Sequence, residues 1–74
     1  METRKLRLDF PLAKVSVPVF SRLVSEFDVQ PNVLAADIEA RKGGWLLIGI
    51  TGETETLDRA IAWVTANDIT VTSA

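Results

Sequence analysis

Asp37 and Glu39 stand two residues apart in a chain of 74 residues, and on an extended strand that spacing points both carboxylates to one face. Such a pair could share a proton or hold a divalent cation. A solvated strand face has the same sequence, however, and little nearby would complete a metal shell. Ser16 and Ser21 carry hydroxyls, but no His or Lys is arranged as their base, and Ser16 is better explained as a helix cap. Gly43-Gly44 forms a turn and not a phosphate cradle, since no helix follows it directly. Asp58 and Arg59 are most simply helix-surface charges. With no cysteine and no histidine, the chain lacks disulfides, thiolate and iron–sulfur ligands, the commonest general base and the commonest transition-metal ligand. A non-catalytic protein without metal or cofactor is the expectation.

Composition points the same way. Apolar residues make up 47% of the chain and charged residues 24%, the usage of a soluble globular domain. A single domain over residues 1–74 is expected, at a size where one core yields only about 3–5 kcal/mol of net stability. The net charge of −2, with Lys and Arg scattered, gives no footprint for nucleic acid. No apolar run approaches the roughly 20 residues that span a bilayer, and no signal-peptide pattern follows Met1, so no membrane insertion and a cytoplasmic location are expected.

The elements that must position any site can be read in order. Lys5 to Phe10 alternates, with Leu6, Leu8 and Phe10 on one face of a strand that Pro11 ends. Ser16 as N-cap and Pro18 in the first turn predict a helix beginning near Val17, with Val19, Phe20, Leu23, Val24 and Phe27 as its apolar stripe. Asp28 in a left-handed turn, Val29 packing back and Pro31 end it. A strand over Val33 to Arg41 has Leu34, Ala36, Ile38 and Ala40 on one face and Ala35, Asp37, Glu39 and Arg41 on the other. Positive φ at Gly43-Gly44 folds it back onto Trp45 to Thr51, where Leu46, Ile48 and Ile50 oppose Trp45, Leu47, Gly49 and Thr51. A second helix over Glu53 to Ala66 carries Leu57, Ala60, Ile61 and Val64, with Trp63 beside the stripe and Asn67 as a left-handed end. Ile69 and Val71 mark a short last strand.

The order βαββαβ is an α+β, ferredoxin-like plan: a four-stranded antiparallel sheet, first and third strands central, with both helices on one face. The other face is left open. It is charged at Lys5, Arg7, Asp9, Asp37, Glu39 and Arg41, and it carries Trp45 and Leu47 on a central strand. A Trp beside a Leu, with Arg7 alongside, reads as a surface for self-association or partner docking. The alternative is a Trp lying flat beneath Lys or Arg stems as ordinary surface cover.

Asn32-Val33-Leu34 resembles the Asn-Ile-Leu signature of the NIL domain family. The similarity extends over Leu6-Arg7-Leu8-Asp9-Phe10, the Pro18 helix ending in Glu26-Phe27-Asp28-Val29, Gly44, Leu46-Leu47-Ile48, Thr51-Gly52 and Ala60-Ile61-Ala62-Trp63-Val64, up to Asp68-Ile69. The resemblance implies a ferredoxin-like fold similar to ACT regulatory domains. Such domains occur in the ATP-binding subunits of methionine ABC transporters, where they pair and bind the amino acid, and in a second group ahead of a ferredoxin module. Carried onto this chain, Asn32 is the candidate ligand residue, with Val33 and Leu34 beside it. An amide can serve an amino acid's carboxylate and ammonium, and apolar neighbours a thioether. Equally, Asn32 could close a side-chain-to-backbone turn while Val33 and Leu34 are core. The expected function is therefore a regulatory domain that binds methionine or a related amino acid, as a homodimer. The alternative is an interaction module without a small ligand, associated with a ferredoxin or transporter.

Overall fold

Alternation along β1 (Glu2–Phe10) buries Leu6, Leu8 and Phe10 on one side of the sheet. A 3-10 turn over Leu12–Lys14 leads to α1 (Val19–Phe27), then β2 (Gln30–Glu39), β3 (Gly43–Gly52), α2 (Thr54–Ala66) and β4 (Thr70–Ser73). The computed structural model describes residues 1–15, 17–39 and 41–74. The strands lie in the order β2-β3-β1-β4, and every neighbouring pair is antiparallel. This is the ferredoxin-like α+β arrangement, with β1 and β3 central as expected.

One core joins the layers. Leu6 and Leu8 from β1, Ile48 and Ile50 from β3, Leu23 from α1 and Leu57 and Val64 from α2 are all buried in a single apolar cluster. Fully burying side chains of this size is worth about 1.5–3 kcal/mol each, which is what offsets the ordering of so short a chain. The face assignment of β3 is the expected one: Leu46, Ile48 and Ile50 are buried, whereas Trp45, Leu47 and Thr51 are half-buried on the other side.

The structure differs from expectation at several ends and on one strand. β1 begins at Glu2, ahead of Lys5, because pairing continues to Gly52 and polar side chains replace apolar ones there. Thr3 and Thr51 hydroxyls meet at 2.8 Å. On the other side Arg4 donates to Asp58 on α2 at 2.8 Å, and Thr54 donates to Glu2 at 3.0 Å. Pro18 occupies the N-cap position of α1, so the helix starts at Val19 and not near Val17; the expected cap Ser16 lies outside the described residues. At the other end Asp28 is left-handed, at φ 53°, and Val29 packs back into the core. Asn67 is not left-handed; Asp68 is, at φ 62°, while the Asn67 amide donates to the Trp63 carbonyl at 2.9 Å. Glu53 is the α2 N-cap and makes no side-chain cap bond, and the Thr54 hydroxyl, the other expected cap, donates to Glu2 instead.

The hairpin turn also moves. Arg41 and Lys42 form it, and both glycines belong to β3. Gly43 alone has positive φ, 85°. Gly44 is needed for a different reason: a Cβ there would run into the Asp37 carbonyl and the Ile38 backbone of β2. Replacing Gly44 by Ala should therefore push β2 off β3. Urea unfolding of Gly44→Ala is expected to show a loss of about 2 kcal/mol or more, a large part of the stability of a domain this small.

Candidate functional site

The pairing of β2 with β3 breaks register between Val33 and Ala35. Val33 stands opposite Ile48 and Ala35 opposite Leu47, so Leu34 is the extra residue of a β-bulge. One inserted residue reverses the side-chain alternation beyond it. Facing residues share a side of the sheet, so Asn32, opposite Gly49, lies on the open face, as do Ala35 and Asp37. Val33, Ala36 and Ile38 lie on the helix face. The expected grouping of Leu34 with Ala36 and Ile38 is thus corrected by the bulge, and Val33 takes the place on that face.

Asn32, Val33 and Leu34 are all exposed, the last two at 48% and 47%. The alternative in which Val33 and Leu34 are simply core is therefore overturned: β2 is the sheet's edge, beyond the cover of the helices. The same holds for Ile38, at 40%. On α1, Phe20 and Val24 are exposed at 40% and 53% instead of packing with Val19 and Leu23. Apart from Met1 and Leu12, every exposed large apolar side chain among the described residues belongs to α1 or β2. Phe20 and Ile38 line one groove of about 210 Å³ with Phe10, Val17 and Leu46. The spacing of Phe20 and Val24 in the α1 stripe and of Ile38 on its strand face predicts core positions, and the structure exposes all three instead. The signal that could have warned of it is the width of the α1 stripe, five apolar positions in nine residues, more than one sheet contact covers.

On the open face the arrangement is quieter. The Arg7 guanidinium lies 5.2 Å from the Trp45 ring centroid and also holds Asp9 at 3.1 Å. Trp45 and Leu47 are half-buried. The three residues expected at an interface are thus neighbours, with Arg7 covering Trp45 in the manner of the alternative reading. Asp37 and Glu39 are both exposed, and Glu39 has Lys42 at 3.9 Å. Among the described residues no group of three acidic side chains could hold a metal ion. At the far end of the sheet the Arg4 guanidinium and the Thr54 hydroxyl hold the Glu2 carboxyl below the usual carboxylate range, while Glu2 and Asp58 raise Arg4. These groups tie β1 to α2. No helix among the described residues is long and apolar enough to cross a membrane.

Comparison with known proteins adds three findings. The NIL domain model matches residues 4–73. Over 69 residues the chain is 33% identical to the methionine import ATP-binding protein MetN of Chromohalobacter salexigens, covering 89% of this chain and 20% of that protein. It is 30% identical to the MetN of Aliivibrio fischeri with the same coverage. The chain therefore spans about a fifth of the length of these relatives. The crystal structure of the C-terminal domain of an ABC transporter ATP-binding protein from Enterococcus faecalis superposes with a TM-score of 0.82 at 20% identity. That match covers 95% of this chain and 81% of the other, and it shows the fold.

The Arg7 cover on Trp45 has a spectroscopic consequence. In a Trp63→Phe background, Arg7→Ala should shift Trp45 emission to the red and raise its quenching by acrylamide. The cost in stability should stay within about 1 kcal/mol, the scale of an exposed cation–π contact. An unchanged spectrum would mean that Arg7 does not shield the ring.

Proposed function

Because the chain belongs to the NIL domain family, we propose that it is a non-catalytic regulatory domain that binds methionine or a related amino acid and self-associates. The observation that carries this reading is the position of the family's motif. Asn32, Val33 and Leu34 sit at a bulge on the exposed edge of the sheet, where none of the three side chains is consumed by the core. Among the described residues the Asn32 side chain makes no hydrogen bond within the protein that would compete with a ligand. Its carboxamide can donate to a carboxylate and accept from an ammonium, and Val33 and Leu34 offer apolar surface to a thioether chain. An exposed edge does not by itself remove a ligand from water, and pockets that bind small molecules bury most of the ligand's surface. A second copy covering the edge would supply the missing wall. The relatives that share the domain are ATP-binding proteins of methionine import, and a domain of this kind would act on the cytoplasmic side of such a transporter. The chain's lack of His and Cys supports a role in binding over one in chemistry.

A second reading keeps the docking and omits the ligand: an interaction module for a transporter or ferredoxin protein. The apolar residues exposed along α1 and β2 favour it to the extent that they need a protein-sized cover. Calorimetric titration with methionine separates the two. Saturable heat is expected for the wild type, and a loss of affinity of at least about tenfold for Asn32→Ala, the scale of a charge-assisted hydrogen bond. Absence of heat with methionine and with the other amino acids would leave the interaction module.

A further inference from the structure

On the open face the two strands that flank β3 carry the same group at one place and different groups at the next. Asp9 of β1 and Asp37 of β2 both stand directly opposite Trp45, so two carboxylates flank the indole in one cross-strand row. In the next row Leu47 has Arg7 on its β1 side and Ala35 on its β2 side. On β1 the arrangement is complete: Arg7 holds Asp9 at 3.1 Å and its guanidinium lies 5.2 Å from the Trp45 ring centroid. On β2 the cation is missing. Where β1 has its arginine, β2 has the methyl group of Ala35, and among the described residues Asp37 is exposed and enters no ion pair.

We infer that the open face is a docking site for a partner protein that presents an arginine next to an aliphatic residue, the guanidinium seated over Ala35, paired with Asp37 and set against the Trp45 indole. The partner's cation supplies on β2 what Arg7 supplies on β1. A guanidinium suits the place because its planar fork meets a carboxylate and its face meets an aromatic ring. Neighbouring strands lie about 4.8 Å apart, so the two cations stand about 10 Å from each other across Leu47. Each has its own carboxylate, and at that separation exposed like charges are largely screened at physiological salt.

The bulge at Leu34 assembles this face. In an unbroken ladder from Asn32 onward, Leu34 would stand opposite Leu47 and Ala36 opposite Trp45; the extra residue brings Ala35 and Asp37 there instead. Charge then selects the occupant. Of the carboxylates at this end of the face, Asp9 is answered by Arg7 and Glu39 by Lys42 at 3.9 Å, which leaves Asp37. The next cation on the face, Lys5, stands two rows away, opposite Gly49. Beside Asp37 the floor is Ala35 and Leu47, both half-buried and apolar, which takes an aliphatic neighbour of the incoming arginine. Asn32 also lies two rows away, opposite Gly49, so the docking site is separate from the motif and independent of the amino-acid reading.

The test titrates the peptide acetyl-Gly-Leu-Arg-Leu-Gly-amide into the protein at fixed protein concentration and follows backbone and indole N–H correlation spectra. Saturable shifts are expected at the Trp45 indole and at the Ala35, Asp37 and Leu47 amides, and the same peptide with glutamate in place of arginine should move none of them. Asp37→Asn should weaken the arginine peptide about two- to fivefold, the scale of an exposed ion pair, while Asn32→Ala leaves it unchanged. Ala35→Arg should fill the place from within, keeping the fold by circular dichroism, lowering acrylamide quenching of Trp45 in the Trp63→Phe background and abolishing the peptide shifts. If Ala35→Arg does not fold, Asp37→Asn decides. Equal shifts with the arginine and glutamate peptides, or an affinity indifferent to Asp37→Asn, would overturn the docking site. Peptide binding of this pattern in a protein that gives no heat with methionine would uphold it and leave the ligand reading to fail alone.

Discussion

One layer of two helices has to cover a four-stranded sheet, and it covers three strands better than four. Leu6 and Leu8 of β1 and Ile48 and Ile50 of β3 are almost wholly removed from water, and Ile69 just before β4 is buried as well. Val33 and Ile38, on the same face of β2, are not. The sheet is thus finished on the β4 side by a short polar strand and unfinished on the β2 side. The candidate site follows from that imbalance, because the motif residues are free for other contacts only where the core does not take them.

The bulge at Leu34 is the second constraint. It turns Asn32 onto the open face while keeping Val33 over the core side, so the three motif residues present a carboxamide and two apolar groups in different directions from one short stretch of edge. Gly44 lets β3 approach the following part of β2 closely enough for pairing to resume beyond the irregularity. A bulge costs pairing energy locally, and strands keep one where it re-aims side chains or ends a ladder. In this sheet it does the former.

Much of the fold was legible in the sequence. Period-two alternation located β1 and β3 and their buried faces, and the helical spacing in α2 located Leu57, Ala60 and Val64. Asp28 before Val29 and Pro31 marked the end of α1. What periodicity could not show was which buried-looking face lies beyond the helices: Phe20, Val24 and Ile38 have the spacing of core residues and the exposure of surface ones. Nor could alternation reveal the bulge, because Val33-Leu34-Ala35-Ala36 is apolar throughout and contains no polar residue to mark a change of phase. On the site, the motif was found by resemblance and its exposure only by structure. The Trp45 face was visible in the sequence, while its Arg7 cover depends on cross-strand geometry.

We propose that the outer side of β2, where Asn32, Val33 and Leu34 are exposed, is the surface through which this domain works. Residue-resolved amide exchange over a dilution series measures it most directly. In dilute protein the β2 amides turned away from β3 should exchange rapidly. They should gain protection as concentration rises, with β1 and β3 amides slow throughout. Concentration-independent exchange along Gln30–Glu39, or protection that grows only around Trp45 and Leu47, would contradict it.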